Sequence, residues 1–121
     1  MKLIATLFLS LFFFTASTQN DANAIAGDWE GTLSVTNEVS YKLIFHISKK
    51  DNGSLSATLD SPDQSALGMP FDEVTFKDNE LIMKMNMIQG TYKATLEDGK
   101  LNGTWSQSGQ EFTLNLEKAE K

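Results

Sequence analysis

The sequence contains no cysteine, no arginine, one histidine (His46) and two prolines. Without cysteine there is no disulfide framework, no thiolate metal site and no point of lipoprotein attachment. Without arginine there is no guanidinium fork for phosphate or carboxylate. Lysine supplies all of the positive charge, and the chain still carries a formal net charge of −6. A chain of that sign cannot neutralise a phosphate backbone, which excludes nucleic acid as a partner and argues equally against anionic lipid surfaces. Long apolar runs are also scarce. The one present, Leu3 to Phe14, holds about twelve residues, whereas a bilayer span needs roughly 20.

That run follows Met1 and Lys2 and precedes the small residues Thr15, Ala16, Ser17 and Thr18. A short positive start, an apolar centre and small residues beyond it are the marks of a secretory signal peptide. Residues 1–18 are expected to be removed, with cleavage between Ala16 and Gln19. The protein is then exported, periplasmic or extracellular, without a membrane span in its mature part. Loss of Lys2 makes the mature chain one unit more acidic. About 100 residues remain, enough for one domain and one core. They divide into a polar lead at 19–26, a folded domain at 27–117 and a tail at 118–121.

Inside the domain, apolar residues recur at every second position, the pattern of half-buried strands. Trp29, Gly31, Leu33 and Val35 share one face. Val39, Tyr41, Leu43, Phe45 and Ile47 share the next, then Leu55, Ala57 and Leu59. Asp60 to Pro70 reads as the longest irregular segment. Val74 and Phe76 mark a short strand, followed by Leu81, Met83, Met85 and Met87. Tyr92, Ala94 and Leu96, then Leu101, Gly103 and Trp105, then Phe112, Leu114 and Leu116 complete eight strands. Short turns rich in Asn, Asp and Gly separate nearly all of them, and no segment sustains a helical period. An antiparallel meander of this kind buries one face of every strand by curling into a closed up-and-down β-barrel.

A repeated pattern supports closure. Bulky–x–small–Thr–bulky occurs four times: at Trp29–Leu33, Leu55–Leu59, Tyr92–Leu96 and Leu101–Trp105. Each copy puts a large, a small and a large side chain on one face. Alternating size lets opposite walls of a small barrel approach, and a Gly inside a strand marks a bend or close contact; a two-sheet sandwich is compatible with the same repeat.

Gly27-Asp28-Trp29-Glu30-Gly31-Thr32-Leu33, Leu43-Ile44-Phe45-His46-Ile47, the run from Gly53 to Gln64 and Leu101-Asn102-Gly103-Thr104-Trp105-Ser106-Gln107 together resemble a known domain. It is the small β-barrel that precedes the catalytic domain in many exported bacterial α/β-hydrolases and some β-lactamase-like serine hydrolases. The resemblance spans nearly the whole mature chain. It implies a lipocalin-like (calycin-like) barrel and an extracytoplasmic home. In those enzymes a catalytic domain follows; this sequence runs only to Lys121, so the hydrolase activity is not implied with the barrel.

Catalysis finds no support in the residues themselves. There is no Gly-x-Ser-x-Gly elbow. Ser61 and Ser65 would need a base, and His46 has the opposite parity to Tyr41, Leu43, Phe45 and Ile47, which turns it outward. Met83-Lys84-Met85-Asn86-Met87 offers thioethers, yet along a strand Met83 and Met87 lie roughly 13 Å apart, too far for one chelate. Asp51-Asn52-Gly53 and Asp60 to Asp63 lack calcium-loop spacing. No metal, cofactor or enzymatic activity is therefore expected.

The expected function is that of a non-catalytic binding or interaction module. Its partner would be a small apolar ligand or, on the resemblance, a hydrolase-type protein. The long loop is the first candidate site, through Asp60, Asp63, Gln64, Leu67, Met69 and Phe71, because binding residues gather on long connections. Trp29, Tyr41, Phe45, Met83, Met85, Tyr92 and Trp105 are candidates to line an interior cavity. The bulk of Trp29, Tyr41, Phe45, Phe76, Tyr92, Trp105 and Phe112 favours a mostly filled barrel, and with it surface interaction over deep ligand capture.

Overall fold

A computed structural model describes residues 23–119. The expected signal peptide at 1–18, the first part of the polar lead and the last two residues of the tail lie outside the described residues. Residues 23–25 are helical, and nine strands follow: β1 (Gly27–Ser34), β2 (Ser40–Lys49), β3 (Leu55–Ser61), β4 (Ala66–Pro70), β5 (Glu73–Lys77), β6 (Glu80–Met85), β7 (Gly90–Glu97), β8 (Lys100–Gln107) and β9 (Gln110–Lys118). They form one sheet in the order β4-β3-β2-β1-β9-β8-β7-β6-β5, with every described pairing antiparallel. This is the up-and-down, lipocalin-like architecture expected from the sequence.

Closure depends on a partner switch. β4 runs antiparallel to β3, and β5 antiparallel to β6, so β4 and β5 travel in the same direction. Between them the Phe71 amide donates to the Ala57 carbonyl of β3 at 3.0 Å, and the next amide, of Asp72, donates to the Lys84 carbonyl of β6 at 2.7 Å. Successive amides of an extended chain point to opposite sides. One stretch, 66–77, therefore binds β3 with its first half and β6 with its second, and it joins the two ends of the sheet. Eight strand paths become nine labelled strands at this switch.

β4 is the element the sequence conceals, since it falls within the segment expected to be irregular. Gly68 and Pro70 argue against a strand. Both are accommodated locally. Gly68 sits at φ 69°, in the left-handed region, beside a register shift between Leu59 and Ser61, and Pro70 closes the strand. Three other positions depart from expectation for a common reason: each lies past the end of its strand. Val35 and Val39 are exposed in the β1–β2 turn, and Met87 is 70% exposed. β6 ends at Met85, and a tight turn at Asn86–Ile88 swings Met87 out and Ile88 in, so the period of two stops there.

The interior is filled from both walls. Phe45 on β2 meets Tyr92 on β7 at 5.4 Å between ring centroids and Trp105 on β8 at 6.4 Å, and it stacks on Phe71 at 5.7 Å. β2 and β7 are far apart along the sheet, so these contacts cross the barrel. Burial pushes the Tyr92 phenol far above its ordinary pKa, and its hydroxyl donates to the Leu114 carbonyl at 2.7 Å. A buried hydroxyl without such a partner is costly.

The ends of the domain reach beyond the expected boundaries. Ile25, from the polar lead, is fully buried, and its carbonyl accepts the Trp29 indole N–H at 2.9 Å. Lys118, expected in the tail, pairs opposite Trp29, holds its Nζ 5.2 Å from that ring and donates to the Ala26 carbonyl. Together they plug one end of the barrel. Among the described residues no helix is long and apolar enough to cross a membrane.

Candidate functional site

The opposite end is where the barrel opens. Strand directions bring the β1–β2 turn, the Pro62–Gln64 turn, the Asn86–Ile88 turn and the Ser108-Gly109 hairpin to this mouth. The Pro62–Gln64 turn is fixed by its own acid. β2 extends past the end of β3, leaving the Lys42 amide without a ladder partner, and Asp63 Oδ2 accepts it at 3.0 Å. That contact sets Gln64 over the opening.

Beneath it lies a cavity of about 310 Å³. Leu33, Leu43, Leu59, Ala66, Met69 and Ile88 form its apolar wall, with Trp105 at the base. Three polar side chains break this surface: Ser61, Gln64 and Gln107. Ser61 is 1% exposed and its hydroxyl donates to Gln64 Oε1 at 2.6 Å. The Trp105 indole N–H donates to Gln107 Oε1 at 2.9 Å. An adjoining cavity of about 270 Å³ shares Leu33, Gln64 and Gln107 and adds Val35, Tyr41, Ser108, Gln110 and Phe112. Among the described residues no charged side chain lines either one. Among the described residues the large exposed apolar side chains, Val35, Val39, Leu67 and Met87, all belong to this end of the barrel.

The candidates from the sequence are thus divided. Gln64, Met69, Tyr41 and Trp105 reach the cavities. Trp29, Phe45, Met83, Met85 and Tyr92 line neither; each is at most 1% exposed and packs in the core. Phe71 also fills the interior, stacked on Phe45. Leu67 is 69% exposed at the rim. Asp60 and Asp63 hold backbone in place. Ser61, weighed in the sequence only as a nucleophile, and Ile88 and Gln107 were not among the expected lining residues. Only Ser61 left a signal, because it continues the inward parity of Leu55, Ala57 and Leu59.

On the outer face, His46 bridges two carboxylates. Its Nδ1 lies 2.8 Å from Asp28 Oδ1 and its Nε2 2.8 Å from Asp60 Oδ2. Asp28 is the residue directly opposite on β1, while Asp60 is diagonal on β3. The other oxygen of Asp60 accepts the Gly68 amide at 2.7 Å, so the clamp ties β1, β2, β3 and β4 together. Only an imidazolium donates from both nitrogens. Hydrogen bonds to Asp28 and then Asp60 raise the His46 pKa above 6.5, opposed by modest desolvation. The Gly68 amide first, then His46, lowers Asp60 below 3.8. The histidine is therefore outward, as its parity requires, and both ring nitrogens are occupied. Ser61 faces inward on the other side of the sheet.

These shifts fix a pH window. The His46 contribution is complete below its ordinary pKa of 6.5 and is lost as pH rises through its raised folded value. The Asp60 contribution is complete above 3.8 and is lost as pH falls through its depressed folded value. Stability from the clamp is expected to be greatest between those limits. His46 is 38% exposed, so solvent screening limits the gain to about 1 kcal/mol or less. The parent's melting temperature should decline on the alkaline side, and a His46→Gln variant should lose that decline. Identical pH profiles for the two proteins would contradict the clamp.

No family model and no curated protein matches this chain. Among solved structures, a point mutant of the fluorescent protein UnaG shares the fold, with a TM-score of 0.55 and 17% identity over 82% of this chain and 99% of that one. At that identity the likeness speaks to architecture: an antiparallel, lipocalin-like β-barrel curled around a common interior.

Proposed function

We propose that this protein is an exported, non-catalytic β-barrel module that holds a small, mainly apolar ligand at the barrel mouth. The observation that carries the reading is the cavity of about 310 Å³ between the Pro62–Gln64 and Asn86–Ile88 turns, apolar except for three polar side chains. Its size lies at the lower end for small-molecule sites, and a mostly apolar lining with a few placed polar groups is their usual composition. The exposed apolar rim suits entry of a poorly soluble molecule. Against catalysis stands the separation of Ser61 from His46 on opposite faces of the sheet, with the histidine held between two carboxylates. Export rests on the signal-like residues 1–18.

Native mass spectrometry of freshly purified protein is expected to reveal bound mass that denaturation releases. After release, the neutral dye Nile red should bind with increased emission, and Ala66→Phe, which fills the cavity, should reduce uptake about tenfold. A bare chain mass together with no dye uptake would sink the proposal. Intact mass of the secreted form should place the new N-terminus between Ala16 and Gln19.

A second reading follows from the hydrolase-like landmarks: an accessory barrel, or a remnant, of an extracytoplasmic serine hydrolase. The exposed rim of Val35, Val39, Leu67 and Met87 would then meet a protein surface. A hydrolase encoded beside this gene that co-purifies with the barrel, and dissociates on Leu67→Glu, is the expected result on that reading.

A further inference from the structure

The polar atoms at the mouth are not equivalent, and their differences restrict what the cavity accepts. Trp105 Nε1–H can only donate. Its bond to Gln107 at 2.9 Å therefore fixes that amide with its oxygen toward the indole and its NH2 group away from it. The Ser61 hydroxyl donates to the Gln64 oxygen at 2.6 Å, which leaves the second NH2 group in the same condition. Neither NH2 group has a described protein partner. Both glutamines line both cavities, so the two donors stand where the cavities meet.

Charge is excluded from the same place. Among the described residues no Lys, Asp, Glu or His lines either cavity. An anion entering would lose its water without meeting a counter-ion, which costs far more than a neutral hydrogen bond returns. The field of an acidic, arginine-free chain adds to that penalty. A cation would meet no carboxylate. What remains is a neutral surface on which Gln64 and Gln107 present free donors between the apolar wall of the larger cavity and the polar Tyr41, Ser108 and Gln110 of the smaller one.

We propose that the mouth cavity selects an uncharged molecule whose apolar body bears a carbonyl-type acceptor, bound by the amide NH2 groups of Gln107 and Gln64. The inference rests on the mouth being a ligand site and adds the class of ligand. An ester, ketone or amide carbonyl satisfies both donors through its two lone pairs. A plain hydrocarbon offers neither donor an acceptor, and a carboxylate brings an uncompensated charge.

The test compares three probes of similar size at neutral pH: methyl hexanoate, hexanoate and n-heptane, titrated into the ligand-free, 15N-labelled protein. Methyl hexanoate should bind about tenfold more tightly than heptane, the difference one neutral hydrogen bond makes, and hexanoate most weakly. The side-chain NH2 resonances of Gln107 and Gln64 should shift with the ester and not with heptane. In Gln107→Leu the ester should fall toward the affinity of heptane, with heptane itself retained. The wild-type amide shifts decide the matter even where that variant folds poorly. Equal binding of ester and heptane, or tighter binding of hexanoate, overturns the selectivity and leaves the ligand site standing. Failure of all three probes to bind overturns the ligand site and the selectivity together.

Discussion

Phe45→Ala is expected to destabilise the protein by about 3–5 kcal/mol, the usual cost of removing a buried aromatic ring. For a domain of this size that is a large share of the total, commonly about 5–15 kcal/mol. The ring is fully buried and touches Phe71, Tyr92 and Trp105, which come from three other elements. Its loss would separate the β2 wall from the β7–β8 wall, and relaxation could not refill the gap because the surrounding rings are held by their own bonds. Tyr92 is tied to Leu114 and Trp105 to Gln107. Chemical denaturation followed by tryptophan fluorescence would show the midpoint falling sharply. A small change would mean that Phe45 borders open space, and the filled interior would have to be abandoned. Val35→Ala, at the exposed turn, is the control and should shift stability by about 0.5 kcal/mol or less.

Gly103→Ala is expected to cost about 1–3 kcal/mol although it adds a single methyl group. A Cβ at this position would press on the Lys93 carbonyl oxygen and stand 2.5 Å from the Ala94 Cβ. Gly103 and Ala94 lie directly opposite in the β7–β8 ladder. The obstacle is backbone as well as side chain, so no rotamer change relieves it. Ala94→Gly in the same chain should recover only part of the loss, because the Lys93 carbonyl remains. Gly31 behaves in the same manner against Asn115 and Leu116 of β9. Thermal melts of the single and double variants measure both effects. An unchanged melting temperature for Gly103→Ala would mean that the close approach of β7 and β8 is not a feature of the folded protein.

Gly31 and Gly103 show how far a linear pattern can carry. Both stand at the small position of the repeated bulky–x–small–Thr–bulky unit, and both occur where another strand comes too near for a side chain. The spacing of Trp29, Gly31 and Leu33 was enough to mark the contact but not to say with what. β9 supplies the neighbour in one case and β7 in the other. Asp60 was legible as a polar residue of the long segment, but its bonds to His46 and Gly68 depend on the β2–β3 register. Gln107 gave no signal at all. A glutamine at a strand end is ordinary in sequence, and its importance comes from the indole of Trp105 two residues earlier, turned back against it.

Alternation alone dictated every strand but β4, the inward and outward sides of each and the outward position of His46, because in an extended chain a side chain's direction depends only on whether its position is odd or even. Where the alternation ends, at Val35, Val39 and Met87, that rule lost its force, since turns obey no period. The tertiary structure decided which inward residues fill the barrel and which border its mouth. It also made one stretch, 66–77, serve two neighbours, and it placed two glutamines from distant segments beside the same opening. These are matters of closure and register, and they exist only once separate strands share an interior.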